Sequence, residues 1–162
     1  MIYIIIIISF LLETIISNIV NINSFLTPLF LLTSLVILYP YFKGNKFNFV
    51  LVCIICGLFY DLALTDSVFI NTISFGLCSG MIIFSYNYFK YNIYSSNLIN
   101  LINIVFYRVI SYLLLCIVDY ISFSEINLIQ GIYNSILINI VYGIIIYIIS
   151  NLISKIFNIK GD

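Results

Sequence analysis

Apolar residues run along this chain in six long blocks, and polar residues gather in the short breaks between them. The blocks cover about residues 2–20, 25–42, 47–64, 69–89, 97–118 and 128–153. A bilayer core of roughly 30 Å takes about 20 helical residues to cross, so each block predicts a transmembrane helix. Runs such as Ile4 to Ile8 lack the alternation of lipid-facing and lumen-facing residues that a barrel strand needs. Isoleucine favours strands in water, but in lipid the demand to satisfy every backbone N–H and C=O overrides that preference. The first block has no basic n-region and is interrupted by Glu13, which predicts a retained helix and not a cleaved signal. Pro28 is expected in the first turn of the second helix, where its missing N–H does least harm. Pro40 helps end that helix ahead of Lys43-Gly44-Asn45-Lys46.

The breaks carry charge of alternating sign. Lys43, Lys46, Lys90, Lys155 and Lys160 fall in the second and fourth breaks and the C-terminal tail, while Asp66, Asp119 and Glu125 fall in the third and fifth. Six crossings place these sets on opposite sides, and the positive-inside rule assigns the lysines to the cytoplasm. The expectation is an all-α integral membrane protein, one compact domain over residues 1–162, with six helices and both termini inside. Tyr39, Tyr41, Phe42, Tyr86, Tyr88, Phe89, Tyr91 and Tyr94 flank the basic borders and read as an interfacial aromatic belt.

Composition agrees. Hydrophobic residues make up 64% and charged residues 7% of the chain, against roughly 45–50% and about 25% in soluble domains. The six basic residues are scattered and the net charge is zero, which excludes the clustered cations of a nucleic-acid binder. Histidine is absent, removing its acid–base chemistry and the commonest metal ligand. Cys53 and Cys56 form a CxxC spacing, but inside an apolar helix, with no cation to stabilise a thiolate. They are read as small packing residues and not as a site; the other two cysteines are Cys78 and Cys116. No catalytic residue, metal site or cofactor is expected. The abundance of Ile and Asn looks like the codon bias of an AT-rich genome, so the asparagines carry little weight as chemistry.

Three ionisable residues lie within the predicted spans: Glu13, Asp61 and Arg108. A lone charge at the bilayer centre costs about 2.5–3.5 kcal/mol on insertion scales, so partners are expected, and an ion pair between Glu13 and Arg108 is predicted to fix helix packing. Gly76-Leu77-Cys78-Ser79-Gly80 is a GxxxG spacing and Gly131…Ser135 repeats it with a serine. Small residues at this spacing let backbones approach closely.

A proline opening an apolar helix (Pro28) precedes a basic hairpin, Tyr39-Pro40-Tyr41-Phe42-Lys43-Gly44. A helix ending Gly57-Leu58-Phe59-Tyr60-Asp61 follows, then the loop Leu62 to Val68 and a polar Asn71. In these features the second to fourth helices, about residues 25 to 85, resemble the bacterial rod shape-determining MreD family. Two positions depart from that pattern: Leu29 stands where Asn or Asp is frequent, and Phe69 where a loop glycine is usual. The resemblance implies a non-enzymatic subunit of the cell-elongation machinery in the cytoplasmic membrane, docking the transmembrane segment of an MreC-like single-span protein. It thereby implies indirect links to MreB filaments, RodA and a penicillin-binding transpeptidase. Gly57, Asp61, Asn71, Gly76 and Gly80 are expected at or near the docking platform. The competing expectation is the substrate-binding membrane subunit of an energy-coupling-factor vitamin importer. That function needs an outward pocket, with Asp61, Asp119, Glu125, Tyr60 and Tyr120 as candidate lining.

Overall fold

The computed structural model describes residues 2–19, 27–42, 45–64 and 69–156. Among them there is no strand. The helices are α1 (Ile2–Ile19), α2 (Phe30–Leu38), α3 (Lys46–Leu64), α4 (Ile70–Tyr88), α5 (Ile93–Ile117) and α6 (Glu125–Ile156), with a 3₁₀ turn at Tyr39–Phe42 prolonging α2. Three of them, α3, α5 and α6 up to Lys155, are long and apolar enough to cross a membrane. Lys43, Gly44, Asp66 and Lys160 lie outside the described residues.

The second helix differs from expectation. It starts at Phe30, and residues 27–29 are not helical, so Pro28 lies ahead of the helix and not in its first turn. Two causes act together. Proline disfavours helical geometry in the residue before it, and α6 offers the freed backbone better partners. Thr27 N–H donates to the Asn134 carbonyl at 3.2 Å, Leu29 N–H donates to Asn139 Oδ1 at 2.8 Å, and the Thr27 carbonyl accepts from Asn139 Nδ2 at 3.2 Å. From Phe30 to Leu38 every residue of α2 is buried. A helix that is apolar on all sides belongs at the centre of a bundle, and α1, α5 and α6 pack around it.

The remaining helices form a chain of neighbours, α3 on α4, α4 on α5 and α5 on α6. Large apolar side chains such as Ile4, Ile55, Phe84, Leu113 and Leu137 cover the outside. Lys46, Lys90 and Lys155 share one end of the bundle, and Asp119 and Glu125 lie at the opposite end of α5 and α6. Rings close the lysine end: Tyr39 meets Phe49 edge-on at 4.8 Å, Phe42 meets Phe49 at 5.2 Å, and Tyr91 meets Tyr147 at 5.1 Å. Tyr3 of α1 joins Phe42 at 6.3 Å.

Candidate functional site

Asp61 opens the last turn of α3, beside the first turn of α4. Its Oδ1 accepts from the Asn71 backbone N–H at 3.0 Å and Asn71 Nδ2 at 2.9 Å. Its Oδ2 accepts from the Thr72 N–H at 2.8 Å and the Thr72 hydroxyl at 2.7 Å. Those two N–H groups are donors that a helix start leaves without intrahelical partners. The residue at the cap position, Phe69, has no side-chain acceptor, so the cap comes from another helix. Tyr107 of α5 completes the joint, its hydroxyl donating to Asn71 Oδ1 at 2.6 Å. One turn before Asp61, Gly57 makes the approach possible: a Cβ there would lie 2.7 Å from the Asn71 carbonyl oxygen and 2.8 Å from Thr72 Cα.

Glu13 repeats the device between α1 and α2. Its Oε2 accepts from the Leu31 N–H at 2.8 Å, in the first turn of α2, and its Oε1 accepts from the Tyr60 hydroxyl at 2.9 Å. Tyr60 neighbours Asp61, so the two caps meet on α3. The predicted ion pair takes another form. Glu13 and Arg108 form no hydrogen bond or ion pair with each other, although the Arg108 charge acts on the Glu13 carboxylate. Arg108 Nε donates instead to Ser135 Oγ at 2.8 Å, and Ser135 in turn donates to the Gly131 carbonyl at 2.7 Å. With its one hydrogen so placed, Ser135 also accepts from the Thr27 hydroxyl at 2.8 Å. The arginine thus braces α5 against α6 and the segment before α2, while the carboxylate braces α1 against α2 and α3.

Of the seven residues expected to matter, Gly57, Asp61 and Asn71 come together, and Glu13 and Arg108 share the same interior. The two glycines of the GxxxG do not make a close crossing. A Cβ at Gly76 would meet only Ile54 Cγ1, at an ordinary 3.5 Å, and one at Gly80 would meet nothing within 4 Å. The close α5–α6 approach lies at Gly143, whose Cβ would stand 2.7 Å from Asn97 Oδ1. Tyr60, Thr72, Tyr107 and Asn139 also belong to the joints and were not anticipated in these roles. In a chain so rich in asparagine, nothing in the sequence singles out Asn139. A buried polar column continues along α5 and α2, where Asn97, Asn100 and Asn103 Oδ1 and Thr33 Oγ1 have no hydrogen-bond partner.

The four described cysteines are free thiols. No cluster of three metal-ligating side chains occurs among the described residues. Of the carboxylates named for a substrate pocket, Asp61 is buried and engaged by the first turn of α4, while Asp119 and Glu125 are exposed at the junction between α5 and α6. A cleft of about 300 Å³ does open between α1, α2 and α3, but Ile6, Ile7, Phe10, Leu31, Cys56 and Phe59 line it, and it offers no polar surface. No family model, curated protein or solved structure matches the chain.

Proposed function

We propose that this chain is a non-enzymatic subunit of the bacterial cell-elongation machinery, seated in the cytoplasmic membrane as six spans with both termini inside. The observation that carries this reading is the joint of Gly57, Asp61 and Asn71. These are residues by which the chain resembles the MreD family, and they lock α3 to α4. Two buried carboxylates engaged in joining helices suit a scaffold, whose interior is rigid and whose partners bind outside. The three spans identified by length and apolarity, and the separation of lysines from acidic residues, support the topology.

Gly57, Asp61 and Asn71 then shape the platform from within. Its surface is the outer face of α4, where Ile73, Leu77, Gly80 and Phe84 follow at spacings of four, three and four and are all exposed. The open space over Gly80 lets a second helix approach closely. This face docks the transmembrane segment of an MreC-like protein, joining MreB filaments inside to RodA and its penicillin-binding transpeptidase outside.

Depleting the chain is expected to round the cells and leave vitamin uptake unchanged. Gly80→Leu is expected to keep the thermal midpoint of the purified protein while abolishing co-purification with the single-span partner. Rod shape retained on depletion, with vitamin uptake lost, overturns the reading in favour of an importer subunit.

A further inference from the structure

The lysine end carries a cluster of hydroxyl and amide groups that the helix joints do not use. The Tyr41 hydroxyl donates to Asn151 Oδ1 at 3.0 Å and stands 3.3 Å from the Tyr91 hydroxyl, which stands 3.3 Å from Ser150 Oγ. These groups come from the 3₁₀ turn, the α4–α5 turn and α6. Lys90 directly precedes Tyr91, and Lys155 follows Asn151 by four residues on α6, hence on the same face of that helix. Both lysines are exposed. Among the described residues no carboxylate stands at this end; Glu13 and Asp61 are interior, and Asp119 and Glu125 lie at the other end. Among the described residues the positive charge here is therefore locally uncompensated.

We infer that Lys90 and Lys155, beside the Tyr41–Tyr91–Asn151 cluster, bind the phosphodiester headgroup of an anionic membrane lipid. The inference rests on the bilayer reading above and is independent of the protein partner. Charge complementarity selects the ligand class, since a phosphodiester offers one negative charge and several acceptors to two exposed ammonium groups and to the half-buried Tyr91 hydroxyl beside Lys90. Depth selects the source. Phe47, Tyr88 and Tyr94 are strongly exposed at this same end, Tyr94 by 85%, as aromatic rings are at headgroup level. A lipid is held at that depth by its own acyl chains, which gives its headgroup a high effective concentration. Free phosphate has no such tether. Aromatic residues are also exposed at the opposite end, including Tyr120 and Phe123, but the charged residues there are acidic. Both ends fit an interface, and only the lysine end fits an anion.

The test uses the full chain in nanodiscs of phosphatidylcholine, alone or mixed with phosphatidylglycerol. The readouts are the thermal midpoint and the lipids retained in native mass spectrometry. The wild type is expected to retain phosphatidylglycerol selectively and to unfold at a higher temperature with it, the gain shrinking as salt is raised. Each of Lys90→Gln and Lys155→Gln is expected to weaken that selectivity about fivefold, from the roughly 1 kcal/mol that one lysine contributes near an anionic surface. Tyr91→Phe weakens it without changing charge, and Glu125→Gln at the other end leaves it intact. Equal selectivity in the wild type and the double lysine variant overturns the inference while leaving the bilayer reading in place. Equal stabilisation by inorganic phosphate in pure phosphatidylcholine overturns the choice of lipid as source. Failure to enter either nanodisc overturns the bilayer reading, and the inference with it.

Discussion

At Asp61 a single side chain supplies what a helix normally takes from its own cap residue. Both oxygens accept from the first turn of α4, two bonds from backbone N–H groups and two from side chains. Asp61→Ala leaves those buried donors without their acceptor, and a buried unsatisfied donor costs about 1–3 kcal/mol. We expect the variant to lose about 2–4 kcal/mol in chemical unfolding of the micelle-embedded protein. Asp61→Asn, which keeps one acceptor, is expected to lose less. Phe69 explains why the cap must come from elsewhere, and it carries a strain of its own. Its φ is 67°, in the left-handed region, where a non-glycine residue costs roughly 1–2 kcal/mol. Phe69→Gly is expected to stabilise the protein by about 1 kcal/mol, because the exposed ring leaves little packing to lose. Unfolding at the wild-type midpoint or below it rejects that account. A glycine at this position would adopt that φ without strain, a preference visible only once the backbone is known. Asp119, also left-handed at φ 57°, ends α5 in a Schellman arrangement, with Asp119 N–H on the Cys116 carbonyl and Tyr120 N–H on that of Leu115.

Between elements, two glycines of similar appearance in the sequence behave differently. Gly57 faces the α4 backbone, which cannot yield as a flexible side chain does, whereas Gly76 has only an ordinary contact with Ile54. Gly57→Ala is expected to cost more than about 2 kcal/mol by forcing α3 and α4 apart, and Gly76→Ala less than about 1 kcal/mol; overpacking of a tight site typically costs about 1–3 kcal/mol. A comparison of the two midpoints checks this. Glu13 ties α1 to α3 through its hydrogen bond with Tyr60, and no ion pair with Arg108 ties it to α5. Double-mutant cycles should therefore give a coupling of about 1–2 kcal/mol for Glu13→Leu with Tyr60→Phe, and a smaller one for Glu13→Leu with Arg108→Leu. The reverse order would restore the ion pair to the leading role. Helix positions were largely legible, because Lys46, the 65–68 break and the 118–124 break interrupt apolar runs on both sides. The start of α2 was not. It depends on Asn139, 110 positions away from Leu29, and no local pattern announces a partner at that distance.

Across the whole molecule, the separation of charge is the feature most readable in the sequence and the one that fixes the proposed orientation. The bundle brings Lys46 of α3, Lys90 of the α4–α5 turn and Lys155 of α6 to one end. Contacts bear this out independently of any membrane: Asp61 near the end of α3 meets the start of α4, and Tyr91 before α5 meets Ser150 late in α6. Adjacent helices therefore run antiparallel in these two pairs. What the sequence could not reveal was how the interior joins hold, because Glu13 and Arg108 have opposite charges yet each is satisfied by neutral partners nearer to hand. In the bilayer reading, the alternation of ends becomes an alternation of compartments. Reporter fusions at the C-terminus and in the α4–α5 turn near Lys90 are expected to report cytoplasm, and one in the α5–α6 turn near Asp119 the exterior. Substituting Lys90 and Lys155 together with Gln removes two of the five lysines that orient the chain. Such a variant is expected to show a mixed population of orientations at the C-terminal fusion. A uniformly external signal from the wild-type C-terminus would mean that an odd number of helices crosses, or that the chain enters the bilayer inverted.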